Sequence, residues 1–124
     1  MDRHSLVTAS AYAIGGVTLF FAGWALLDPG SLARKMGVST RHAQWLGYRD
    51  LVSGGLLVTR SDTAAFALRA IADVTDAVTM VHSRPTIAAG AAVFAVWSAA
   101  AAMASRRHAG GPAAPAGRIA RRAT

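Results

Sequence analysis

The chain has 124 residues and a net charge of +7; 53% of its residues are hydrophobic and 15% are charged. A typical soluble domain is about 25% charged, so this composition favours one small domain rich in apolar helices. The sequence contains no cysteine, which excludes disulfides, thiolate nucleophiles and cysteine-based metal sites.

The first apolar segment, "LVTASAYAIGGVTLFFAGWALL", covers residues 6–27 and contains no charged residue. About 20 apolar residues suffice to cross a bilayer. A cleaved signal peptide is the alternative, but its apolar region would be about 7–15 residues long and followed by small residues. Here the small residues "ASAYA" precede the most hydrophobic part. We therefore expect an uncleaved transmembrane helix.

A break and a short amphipathic piece follow. The sequence "DPG" at 28–30 continues a helix poorly and predicts a turn. The next stretch, "SLARKMG" at 31–37, predicts a short helix that is capped by Ser31. Its leucine and methionine would lie on one face, and Arg34 and Lys35 on the other. This pattern is typical of a helix in the membrane interface.

Three further helices complete the predicted fold. Segments 42–60 and 62–83 are separated by a very short linker and predict a tight antiparallel hairpin centred on Ser61. A proline then opens a fourth apolar segment, 85–105, where it is tolerated in the first helical turn. The predicted fold class is all-α: a four-helix transmembrane bundle with a short interfacial helix after helix 1, formed by residues 1–108.

The remaining residues, 109–124, begin with "AGGPAAPAG" and predict a disordered, basic cytoplasmic tail. Arginines cluster after the last apolar segment: Arg106, Arg107, Arg118, Arg121 and Arg122. Positive residues mark the cytoplasmic side, and this cluster outweighs the basic residues that follow the first segment. We expect a multi-pass protein of the inner (plasma) membrane with both termini cytoplasmic. No motif supports a nucleic-acid partner.

A soluble four-helix bundle is the alternative architecture. The third segment alone would fit it, because its charged residues make that helix amphipathic. The first and fourth segments are apolar all round, however, and a small bundle cannot bury two such helices. The membrane interpretation is therefore favoured, with membrane lipid as a partner.

Five charged residues interrupt the second and third segments: Arg49, Asp50, Arg69, Asp73 and Asp76. Each costs about 2.5–3.5 kcal/mol at the centre of a membrane helix on insertion scales, so they must pair or line a wet cavity. Equal distances from the turn place Arg49 level with Asp73, and Arg69 level with Ser53. We therefore predict that Arg49 and Asp73 are direct partners. Arg69 also reaches Asp73 at i+4.

The five groups comprise three carboxylates and two guanidinium groups, which leaves one excess negative charge. In a low-dielectric site we expect one aspartate to hold a proton. A protonated carboxyl group beside an ionised one is suited to acid–base catalysis. Asp73 and Asp76 are the predicted base and acid. Arg49 and Arg69 would orient them, and Asp50 would balance Arg49.

The predicted substrate pocket is lined by Trp45, Tyr48 and Ser53. No metal site or cofactor is expected, because the histidines are scattered at helix ends and no P-loop, dinucleotide glycine pattern or Ser/His/Asp arrangement is present. The competing interpretation of the charged residues is a buried ion network that only fixes the register of the helices.

The segments "GYRDLVSGG" and "LRAIADVTDAV", in a chain of four short hydrophobic segments, resemble the small DoxX-like bacterial membrane proteins. The similarity is strongest to an uncharacterised group with a G-x-R-D motif in the second helix and paired aspartates in the third. It covers about residues 5–105. It implies a four-helix transmembrane bundle and little about activity. From the sequence itself, Gly47, Gly54 and Gly55 are predicted to allow close approach of helices.

Two functions remain open. The first is an enzyme that opens an epoxide, cyclises or isomerises a lipophilic small molecule without a redox cofactor. Its Asp–Arg–Asp grouping is similar in chemistry, though not in fold, to enzymes of the limonene-epoxide-hydrolase type. The second is a binding or transport module formed by a homo-oligomer. Small residues on the fourth segment would supply the contact face: Ala88, Ala92, Ala95, Ala99 and Ala102.

Overall fold

A computed structural model describes residues 2–109, and all regular elements in this range are α-helices. They are α1 (Arg3–Leu27), α2 (Pro29–Met36), α3 (Thr40–Arg60), α4 (Thr63–Met80) and α5 (Pro85–Ala109). The all-α prediction is confirmed, and the helices occur in the predicted order. The predicted disordered tail lies outside the described residues, except for Ala109, which ends α5.

Side chains at the helix starts bind backbone N–H groups that have no partner within the helix. The caps are Asp2, Asp28, Ser39 and Asp62, and each accepts the N–H three residues ahead at 2.8–3.3 Å. The predicted Ser31 cap of α2 is wrong. Asp28 caps this helix, Pro29 occupies its first position, and the Ser31 N–H donates to Asp28. A proline fits there because that position needs no N–H.

Two residues with positive φ angles end helices and close turns: Gly37 (φ 70°) after α2 and Ser61 (φ 52°) after α3. In the α3–α4 turn, Arg60 lies 2.7 Å from Asp62 in an exposed ion pair. The N–H of Ala65, assisted by the charge of Arg60, holds the pKa of Asp62 below its usual range. This turn is therefore organised by its own local contacts.

The four long helices pack as two pairs, α1 against α3 and α4 against α5. The helices α3 and α4 approach each other closely at far fewer positions, although a short turn joins them. The predicted tight hairpin is therefore wrong in its packing. Long charged side chains fill the space between α3 and α4, and they connect the two helix pairs.

Glycine residues allow the close approach of α1 and α3. A Cβ atom placed on Gly47 would lie 2.8 Å from the Ala25 Cβ, and one on Gly54 would lie 3.2 Å from the Gly15 carbonyl oxygen. The first distance leaves no room for a side chain, and the second is tighter than an ordinary contact, so a side chain there would push α1 and α3 apart. The prediction for Gly47 and Gly54 is confirmed, whereas Gly55 faces no atom within 4 Å, and its predicted role is wrong.

An apolar core fills the half of the bundle that contains the start of α1. Its buried residues are Val7, Ala11, Ile14, Leu57, Ala65, Phe66, Ala101 and Ala102. Among residues 2–109, two helices are long and apolar enough to cross a membrane, Arg3–Leu27 and Pro85–Arg107. The five charged residues singled out in the second and third segments lie in the other half of the bundle, nearer to α2.

Candidate functional site

Five charged side chains on α3 and α4 form one continuous chain of ion pairs in which the sign of the charge alternates. In order, they are Asp76, Arg49, Asp50, Arg69 and Asp73. These are the five residues that the sequence analysis identified. The chain begins and ends with a carboxylate, so it has one more negative than positive group.

Arg49 is bound by two carboxylates. Its Nη1 and Nη2 donate to the two oxygens of Asp76, each at 2.8 Å. Its Nε and Nη2 donate to Asp50 Oδ1 at 3.1 and 2.9 Å. The Trp45 ring lies 5.8 Å from Arg49 Cζ, within the range of a cation–π contact. The bidentate ion pair with Asp76 is the strongest arrangement in which an arginine binds a carboxylate, and it fixes Arg49 between α3 and α4.

Arg69 is almost completely buried, with 3% of its surface exposed. Its Nη1 donates to Asp50 Oδ1 at 2.9 Å and to Ser53 Oγ at 3.1 Å. Its Nη2 donates to Asp73 Oδ1. The predicted i+4 contact with Asp73 and the predicted level of Ser53 are both confirmed. Asp50 accepts from both arginines through the same oxygen and links the two halves of the chain.

The predicted direct pairing of Arg49 with Asp73 is wrong. Arg49 binds Asp76, which lies about one helical turn further along α4. Asp73 is already bound by Arg69, its neighbour on the same helix, and this leaves Asp76 for Arg49. Equal distance from the turn therefore predicted the position of Arg69 beside Ser53 correctly. It could not decide which of two carboxylates, both within reach of the long Arg49 side chain, would bind Arg49.

Asp73 is the carboxylate with the fewest partners. Its Oδ2 is buried and has no hydrogen-bond partner among the described residues. Its side chain is 9% exposed, against 15% for Asp50 and 18% for Asp76. In contrast, both oxygens of Asp76 accept bonds from Arg49. A buried polar atom without a partner is rare in proteins and needs a chemical explanation.

A cavity of about 300 Å³ lies beside the chain of ion pairs. All five charged residues line it on one side. Its other walls, which come from α1, α2 and α5, are mainly apolar and include Val17, Phe21, Trp24, Leu32, Ile87 and Phe94. Ligand pockets typically measure about 300–1,000 Å³ and combine apolar walls with a few polar groups. This cavity has the same composition and lies at the lower end of that size range.

Sequence reasoning missed every residue that α1, α2 and α5 contribute to the cavity. For α1 and α5 no signal was available, because their apolar residues look alike on all sides. For α2 a signal existed. Leu32, Lys35 and Met36 follow the spacing of one helical face and all line the cavity, whereas Lys35 had been predicted on the opposite face from the other two.

The predicted pocket residues Trp45, Tyr48 and Ser53 do not line this cavity. They border a second, more open groove of about 530 Å³ between α3 and α4. Trp45 and Tyr48 are 58% and 63% exposed. Arg49 borders both spaces, so it lies between the inner cavity and this outer groove.

Within residues 2–109, no group of three histidine, aspartate or glutamate side chains is arranged to hold a metal ion. The carboxylates of the site instead face arginines. The arrangement can bind polar atoms of a ligand, and it can donate or accept protons. No protein-family model, no curated protein and no solved structure matches the chain.

Proposed function

We propose that this chain is a multi-pass membrane protein in which α1, α3, α4 and α5 all cross the bilayer. The support is a distribution of side chains opposite to that of a typical water-soluble protein. Charged groups of α3 and α4 are buried, whereas large apolar residues of all four helices are exposed. One example from each helix is Phe20 (67%), Val52 (60%), Ile71 (65%) and Val96 (72%). A surface of this kind is expected in contact with lipid.

Both termini lie in the cytoplasm in this proposal, because the arginines in the last turn of α5 and beyond it follow the positive-inside rule. The chain has no native cysteine, so single cysteines can report its topology. Ser39→Cys, before α3, is expected to react with an impermeant thiol reagent added outside intact cells. Ser61→Cys, after α3, is expected to react only when the cells are permeabilised. Labelling of Ser61→Cys in intact cells would show that the orientation is the reverse of the one proposed.

The biochemical function that the geometry supports best is an acid–base enzyme acting on a lipophilic small molecule. The observation that carries it is a chain of ion pairs with one excess carboxylate, placed along the wall of an otherwise apolar cavity. Epoxide opening, cyclisation and isomerisation need only a proton donor and a proton acceptor. They are the reactions we assign to this site.

Asp73 is the proton donor in this proposal. An excess negative charge in a buried site is most costly on the least exposed carboxyl group with the fewest donors, and that group is Asp73. Asp76 is kept ionised by its two bonds from Arg49 and serves as the acceptor. These roles are opposite to the ones predicted from the sequence, in which Asp73 was the base and Asp76 the acid.

Epoxide hydrolysis illustrates the proton balance. The oxygen of a water molecule forms a bond to an epoxide carbon while Asp76 takes a proton from that water. The carbon–oxygen bond of the epoxide breaks, and the leaving oxygen takes the proton of Asp73. The product is a diol, and one proton has moved from Asp73 to Asp76. Its return to Asp73 restores the starting state, so no other reactant is consumed.

The test is conversion of 1,2-epoxydecane by purified protein in detergent, in water labelled with ¹⁸O. We expect a singly labelled diol, detected by mass spectrometry, above the rate of the reaction without protein. Ala91→Phe, which fills the cavity, is expected to abolish the reaction, whereas its neighbour Ala92→Phe, outside the cavity, is expected to retain it. An Ala91→Phe variant that folds and keeps full activity would refute the proposed site.

A purely structural role is the second candidate, and one observation favours it. The helices α3 and α4 meet at few positions, and the ion pairs connect the two helix pairs there. If this is their only role, the purified protein converts no lipophilic probe. Every substitution in the network would then change the amount of folded protein and nothing else.

A further inference from the structure

The cavity is lined by one further charged residue, Lys35, to which the acid–base proposal assigns no role. We infer that the ligand of the cavity is an amphiphile with an anionic head group, a carboxylate or a phosphate, which binds Lys35, and an apolar body that enters the cavity. This inference rests on the proposed function, because it names the substrate class of the same site.

Lys35 is exposed on α2 and contributes to the lining of the cavity. The two arginines of the site are bound by its carboxylates, whereas Lys35 has no ion pair among the described residues. Its long apolar stem can lie along the cavity wall while its ammonium group remains at the water-exposed rim. Lys35 is therefore the one cation of the described lining that is free to bind a ligand.

The sum of charges along the lining favours an anion. With the proton on Asp73, the two arginines balance Asp50 and Asp76, and the inner wall is neutral. Lys35 then supplies the only uncompensated charge of the described lining, and it is positive. Arg84, on the loop before α5, lies near this end of the bundle, 3.2 Å from a Cβ placed on Gly37. It adds positive potential at the same end.

The dimensions and walls of the cavity define the apolar part of the ligand. A volume of about 300 Å³ corresponds to roughly ten groups of the size of a water molecule. This accommodates one short chain or a small ring system and excludes the two acyl chains of a phospholipid. The aromatic walls from Phe21, Trp24 and Phe94 suit an apolar body. The ligand we infer is a single-chain or cyclic acid of modest size.

Binding of decanoate tests this inference against matched neutral and anionic probes. Decanoate, decyl phosphate and methyl decanoate are titrated by calorimetry into the full-length protein in a non-ionic detergent. Lys35→Gln is expected to weaken binding of both anions about tenfold, because a charged hydrogen bond is lost, and to leave the methyl ester unchanged. Arg34→Gln removes the same charge from the adjacent position, outside the cavity lining, and is expected to change each affinity less than twofold.

The results separate a failure of the anionic head group from a failure of the cavity, and a free acid from a lipid. Equal weakening of the acid and its ester by Lys35→Gln, or an equal effect of Arg34→Gln, overturns the anionic head group while the cavity remains a binding site. If Ala91→Phe binds all probes as well as the wild type does, the cavity is not the site, and the proposed function fails with it. In nanodiscs, competition by phosphatidylglycerol but not by phosphatidylcholine would overturn the inference of a small acid and assign the anion to a lipid head group, whereas no competition by either lipid supports the free acid.

Discussion

Asp73→Asn and Asp76→Asn are expected to lose similar amounts of activity but to differ clearly in stability. Each removes one member of the proton donor–acceptor pair, and general acid–base catalysis contributes about 10²–10⁴-fold to a rate. Asparagine has the shape of a protonated aspartate. Asp73→Asn therefore replaces a neutral group with a neutral group. Its free energy of unfolding should lie within about 1 kcal/mol of the wild-type value.

Asp76→Asn removes an ionised partner of Arg49. Breaking a buried ion pair costs about 3–5 kcal/mol when one charge is left alone. Arg49 retains Asp50 and is 17% exposed, so we expect a smaller loss of about 2 kcal/mol. A second substitution, Arg49→Met, should recover much of this stability, because it removes the stranded charge.

The measurements are diol formation per folded molecule and thermal unfolding in the same detergent. Asp62→Asn is the control, since it makes the same chemical change at a half-exposed helix cap, where asparagine also caps well and the exposed ion pair with Arg60 contributes little to stability. If Asp73→Asn is the less stable variant, the proton does not reside on Asp73. If both variants keep wild-type activity per folded molecule, the charges serve assembly alone.

Gly54→Ala is expected to destabilise the protein, whereas Gly55→Ala, one position later, is expected to stabilise it. A Cβ on Gly54 would lie 3.0 Å from Leu19 Cγ, 3.1 Å from Thr18 Cγ2 and 3.2 Å from the Gly15 oxygen. The backbone oxygen cannot move without separating α1 from α3. Overpacking of this kind costs about 1–3 kcal/mol.

Gly55 provides the matched control because a Cβ there has no atom within 4 Å. Alanine is preferred over glycine in a helix by about 0.5–1 kcal/mol, so Gly55→Ala should gain this amount. Because both variants gain this helix preference, their free energies of unfolding, measured with a denaturing detergent, should differ by the overpacking cost alone, about 1–3 kcal/mol. Equal values for the two variants would show that α1 and α3 do not pack through Gly54.

Much of the fold was predictable because its signals are local. The break at "DPG" and the linker "RSD" coincide with helix ends in the structure. The contact of Arg69 with Asp73 followed from helical spacing alone. The excess carboxylate followed from counting charges, and counting does not depend on the arrangement of the helices.

The remaining features depend on packing, which one sequence does not specify. The partner of Arg49 is decided by competition, since Arg69 occupies Asp73 and leaves Asp76. The cavity is decided by which faces of α1 and α5 turn inward, and uniformly apolar helices contain no signal for that. Trp45 and Tyr48 were predicted to line the substrate pocket, but they border the outer groove.

Arg49 and Asp76 are 27 positions apart in the sequence. The ribosome therefore completes α3 before it adds Asp76, the bidentate partner of Arg49 on α4. In the proposed membrane topology, α3 alone would place Arg49 in the bilayer with only Asp50 as a counter-ion, and charged groups at the centre of a membrane helix cost about 2.5–3.5 kcal/mol each. We therefore expect α3 to remain at the translocon until α4 has left the ribosome, and both helices then to enter the lipid together. The glycine contacts with α1 would retain α3 during this interval. The ion pairs that form the candidate site would then also set the order of membrane insertion.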